Sequence, residues 1–106
     1  MAWVYLLVAG LFEIGWPLGL KLSQTTGHKA AWITFAVATM AASGLFLWLA
    51  QRSVPMGTAY AVWTGIGAVG AFVVGILLFE DPASAFRIVS VLLIVTGVVG
   101  LRLAHS

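Results

Sequence analysis

Residues 3–21 read WVYLLVAGLFEIGWPLGLK, an apolar run long enough to cross a bilayer, with one acid, Glu13, near its middle. An ionisable side chain at that depth costs about 3 kcal/mol or more, so it faces a partner, a cavity or a ligand. Glu13 is the only carboxylate before Glu80, and the remaining acid, Asp81, adjoins Glu80 at a helix junction. The rest of the chain reads as a scaffold that shields Glu13 and gives it something to bind, which points to transport. No Lys or Arg precedes the run and an acid breaks its apolar core, so it is expected to stay on the protein rather than be cleaved as a signal peptide.

Of the 106 residues, 62% are hydrophobic and only 8% are charged. A soluble domain carries about 25% charged residues, so this composition cannot cover a water-facing surface. The net charge of +2 reflects scarce charge rather than a basic patch, which leaves nucleic-acid binding without an electrostatic footing. There are no cysteines, and His28 and His105 lie far apart in a loop and at the C-terminus. No metal site and no cofactor are expected.

Four apolar segments, each near the roughly 20 residues that a hydrocarbon core of about 30 Å demands, predict helices over 3–21, 31–50, 56–79 and 84–103. They make residues 1–106 a single all-α transmembrane domain. Lys21 closes the first helix, and a polar turn with Gly27 as its breaker follows over Ser23–Lys29. In the second, Trp32 and Trp48 sit near the two ends, and Thr39 and Ser43 share a face. Pro55 suits the first turn of the third helix. Within that helix Gly67, Ala71 and Gly75 repeat every fourth residue, a stripe that lets another helix approach closely. Gly65 and Gly67 also make a bend at this point conceivable. The GIG at 65–67 lacks the strand and helix start of a phosphate loop. Asp81 is expected to cap the fourth helix with Pro82 as its first residue. Gly97 and Gly100 form a further small-residue surface, a candidate contact between subunits.

Short connections predict an up-down-up-down arrangement of neighbouring helices. Arg52 and Arg102 then lie on one side of the membrane, and Lys21, Lys29 and Arg87 on the other. So small an imbalance barely selects an orientation. Four helices also leave little interior volume for a pathway, a problem many transporters solve with inverted repeats around a midplane site. An antiparallel, dual-topology homodimer reaches the same design.

Three pieces of the chain carry a resemblance over essentially its full length: FEIGWPLGLK at 12–21, PMGTAYAVWTGIGAVGA at 55–71 and EDP at 80–82. They resemble the small multidrug resistance family, and most closely its guanidinium exporter subtype, for which Trp16 and its neighbourhood are the pointers. The resemblance implies four helices, an antiparallel homodimer in the cell inner membrane, and antiport of protons against a cation at paired glutamates. Carried onto this chain, the substrate and proton site is Glu13, Trp16, Ser43, Tyr60 and Trp63, with Gly10 close by. Pro17 departs from the pattern and is placed to kink the first helix just past the acid.

The residue types suit that chemistry. Guanidinium is a planar cation whose N–H fork matches a carboxylate. Two opposed Glu13 side chains can hold the cation or hold protons, but not comfortably both. Trp16 lies three residues after Glu13, and Tyr60 and Trp63 are likewise three apart, so each pair shares a helix face. An aromatic face beside a desolvated cation contributes up to about 2 kcal/mol. The hydroxyls of Tyr60 and Ser43 are placed to hold Glu13. Simpler readings stand beside these: packing for Trp16 and Trp63, an interface anchor for Tyr60, and for Ser43 a bond to its own helix backbone. An exporter of quaternary ammonium or lipophilic cations with the same architecture is the nearest rival, and a non-transporting membrane assembly protein is a more distant one. No nucleophile–base pair supports an enzyme.

Overall fold

A computed structural model describes residues 1–104; His105 lies outside them. The chain forms α1 (Ala2–Thr25), α2 (Lys29–Ala50), α3 (Met56–Phe79) and α4 (Ala85–Ala104). All four are long and apolar enough to cross a membrane. Helix α1 runs past Lys21 into the segment expected to be a polar turn. The hydroxyls of Ser23, Thr25 and Thr26 donate to the carbonyls of Leu20, Lys21 and Leu22, so these residues satisfy the helix end from within. The α1–α2 turn shrinks to Thr26–His28. Pro55 stands immediately before α3 rather than in its first turn.

The start of α4 corrects the expected cap. Residues 80–84 are not helical, and Ser84 takes the capping position: its Oγ accepts the Arg87 N–H at 3.3 Å and its carbonyl accepts from Ile88. Asp81 belongs to the end of α3 instead. There Glu80 adopts a left-handed conformation (φ 55°, ψ 33°), and the N–H groups of Glu80 and Asp81 both reach the Gly75 carbonyl. Helix α3 runs through Gly65 and Gly67 without interruption.

Sequence neighbours are not always neighbours in space. Helix α1 packs along both α2 and α3, whereas α2 and α3 barely meet and the backbone of α4 comes close to that of α3 only. The lateral order is α2, α1, α3, α4. The Cα atoms span 47 × 34 × 16 Å. A width of 34 Å is what four helices set side by side at about 8–10 Å spacing require. The chain is therefore a thin layer rather than a bundle around a core. Few large side chains are buried: Leu6, Val54 and Val62, with Ala50 and Ala59, form one cluster at the end that holds the α2–α3 turn. No residue of α4 is buried.

Glycines explain why α1 occupies the middle. A methyl group on Gly15 would lie 2.9 Å from the Thr39 Cγ2, and one on Gly19 2.9 Å from the Trp32 carbonyl oxygen, both on α2. On the other flank, a methyl on Gly10 would lie 2.6 Å from the Ile66 Cγ2 of α3. Lipid tails give helices no hydrophobic reason to associate, so close approach at small residues supplies the contact. Where helices end, cations lie on aromatic rings: Arg102 is 4.8 Å from the Trp3 ring and Arg52 is 5.3 Å from Trp48.

Gly19→Val should cost about 1–3 kcal/mol, since the backbone oxygen it meets cannot move aside as a side chain can. Gly57→Ala, which has open space at the start of α3, should be neutral or slightly stabilising. Denaturant titration of the two variants in detergent, followed by far-UV circular dichroism, measures the contrast.

Candidate functional site

Glu13 is half-buried on α1, with its side chain against α3 where glycine leaves room. A methyl group on Gly67 would lie 2.5 Å from the Glu13 Cγ. The Trp16 indole N–H, one turn along α1, donates to the Glu13 Oε1 at 2.6 Å. That short hydrogen bond fixes the direction of the Glu13 carboxyl group. Pro17 adds a backbone feature. Lacking an N–H, it leaves the Glu13 carbonyl without the donor that residue 17 of a helix would normally supply.

Ser43 does something other than expected. Its hydroxyl bonds neither to Glu13 nor to its own helix; it donates to the Ala9 carbonyl at 2.8 Å and accepts the Trp63 indole N–H at 2.8 Å. One hydroxyl on α2 thus ties the α1 backbone to an α3 side chain. Thr39, on the same face, does bond to its own helix, at the Phe35 and Ala36 carbonyls.

The groups so placed border an open cavity of about 260 Å³ lined by Glu13, Trp16, Met40, Gly44, Leu47 and Trp63. Its only ionisable group is Glu13. Of the six residues predicted for the site, Glu13, Trp16 and Trp63 line it, and Ser43 holds Trp63 from behind. Tyr60 is 56% exposed and lies beside Trp63, ring centroids 5.4 Å apart, on the outer side of α3 rather than in the cavity. Gly10 is buried beneath Ile66 and serves packing. The stripe of Gly67, Ala71 and Gly75 splits its duties. Gly67 receives Glu13, Ala71 lines a second cavity against α1, and Gly75 receives Asp81. Gly65 faces Val98 of α4.

Sequence reasoning missed Met40, Gly44 and Leu47. The signal was present: counting by three and four from Ser43 along α2 reaches Met40 and Leu47 on the same face.

Comparison with known proteins identifies the family of this chain. A family model described as Small Multidrug Resistance protein matches residues 1–94. The chain belongs to the small multidrug resistance family. A guanidinium exporter of Yersinia pseudotuberculosis is 51% identical over 104 residues, covering 98% of this chain and 99% of the relative. Guanidinium exporters of Citrobacter freundii and Escherichia coli are 46% and 43% identical, each with 98% of both chains covered. This small multidrug resistance protein is accordingly a multi-pass inner-membrane protein whose relatives are exporters, not enzymes.

Ser43→Ala should leave the Trp63 N–H without its partner, at a cost of about 1–3 kcal/mol. Ser43→Thr, which keeps the hydroxyl, should retain more of that stability. Near-ultraviolet circular dichroism reports the tryptophan environment, and detergent melting curves report the loss.

Proposed function

We propose that this chain is a proton-coupled antiporter that exports guanidinium or small guanidinyl cations, with cation and protons competing for Glu13. The observation that carries this reading is the half-buried Glu13 carboxylate, held by the Trp16 indole N–H in a cavity otherwise free of charge. An ionised carboxylate in such a place is costly alone and is relieved either by a proton or by a cation. A guanidinium ion offers two parallel N–H groups to the two carboxylate oxygens. The rings of Trp16 and Trp63 flank the same space and favour a positive charge. Because each occupant excludes the other, the gradient of one drives the other.

In this reading two copies in opposite orientation share the site, so that Glu13 acts as a pair. Support comes from the shape of the subunit. A layer 16 Å thick cannot enclose a substrate by itself, and α4, none of whose residues is buried, leaves Gly97 and Gly100 open for the close approach of a second copy. The near balance of Arg52 and Arg102 against Lys21, Lys29 and Arg87 is compatible with insertion in both senses.

Proteoliposome exchange assays test the reading. Wild-type protein should exchange guanidinium for protons, and Glu13→Gln should lose at least about a hundredfold in rate, since an amide cannot carry the proton. Exchange of a bulky tetraalkylammonium with none of guanidinium would instead assign the lipophilic-cation class. Undiminished exchange by the Glu13→Gln variant would remove the acid from the mechanism.

Orientation is a separate matter. C-terminal fusions to reporters active on only one side of the membrane should give signal from both sides. Signal from a single side means that an antiparallel pair of this chain does not form.

A further inference from the structure

The Gly75 carbonyl draws the α3–α4 turn back over the end of α3, because the N–H groups of Glu80 and Asp81 both bond to it. The carboxylate of Asp81 comes to rest where a side chain on residue 75 would otherwise sit. There it shares a cavity of about 220 Å³ with Ile14, Pro17 and Lys21 of α1 and with Phe79. The Lys21 ammonium lies 6.0 Å from the centre of the Phe79 ring. A carboxylate and an aromatic ring thus face one small space, with an internal cation already over the ring. Along α1 its lining runs from Ile14 to Lys21, about 10 Å at 1.5 Å per residue, on a different flank of the helix from the cavity that Glu13 lines.

We propose that this cavity is an outer cation site: a small planar cation binds the Asp81 carboxylate and the Phe79 ring in place of the Lys21 ammonium, on its way to or from Glu13. The identity of the ion rests on the function proposed above. Asp81 and Lys21 are both exposed, so solvent screens the attraction and the site holds its ion weakly. Weak binding is what an intermediate station requires, since an ion held tightly there would not move on. Lys21 lines the same cavity, and its ammonium competes with the arriving cation for the Phe79 ring.

Guanidinium uptake into proteoliposomes, measured against concentration, tests the idea through effects of opposite sign. Asp81→Asn should raise KM about three- to tenfold with little change in maximal rate, as expected for one screened ion pair. Lys21→Gln should lower KM by a similar factor. Gly75→Ala keeps every charge but fills the seat of the Asp81 carboxylate, and it should raise KM as well. Unchanged KM in all three variants overturns the proposal, as does a fall in maximal rate shared by Asp81→Asn and Lys21→Gln, which would mark a structural role. A second measurement separates this site from the transport reading. In detergent-solubilised Glu13→Gln protein, guanidinium chloride should shift the amide resonances of Gly75 and Phe79 relative to sodium chloride, and adding Asp81→Asn should abolish the shift. Shifts without wild-type uptake would sink the transport reading alone; uptake without shifts would sink the outer site alone.

Discussion

A carboxylate placed in hydrocarbon is the constraint from which the rest of this structure follows. Glu13 cannot be left against lipid, and the chain answers with two devices. Trp16 donates its indole N–H to the carboxylate from one turn away, and Gly67 on α3 provides the gap into which the side chain fits. The second device needs α3 beside α1, which lies in the middle of the layer. Gly10, Gly15 and Gly19 put it there by letting α3 and α2 close on its two flanks.

Polar contacts between helices matter more in this molecule than their number suggests. In lipid, packing and hydrogen bonds must do what burial of apolar surface does in water. Ser43 is the clearest instance, because its one hydroxyl serves the Ala9 carbonyl and the Trp63 indole at once. It acts on the site at one remove: it orients a ring that lines the cavity and never touches the acid. The same economy of side chains appears at the far end of α3. There the missing Cβ of Gly75 and the left-handed Glu80 together decide where the Asp81 carboxylate sits.

Much of this was legible in the chain as written. Helix α3 begins and ends where its apolar run does, because Pro55 and the Glu80-Asp81-Pro82 junction interrupt the run on both sides. The Glu13–Trp16 pair was legible too, since a spacing of three on a helix leaves little choice of neighbour. What misled were residues with two uses. The segment SQTT looked like a turn by polarity, yet its hydroxyls bond back to the helix and extend it. Asp81 looked like an N-cap by position, yet Ser84 takes that place.

The sequence alone determined that there are four spans, that one acid lies within the first of them, and that an indole stands beside it. These are matters of local composition and helical period, which no distant contact can change. Tertiary structure decided which helices touch. The order α2, α1, α3, α4 and the assignment of Ser43 to Trp63 rather than to Glu13 both depend on how faces of separate helices meet. That pairing is set by shape across the layer, where residues far apart in the chain come within a few ångströms, and nothing in the spacing along any one helix encodes it.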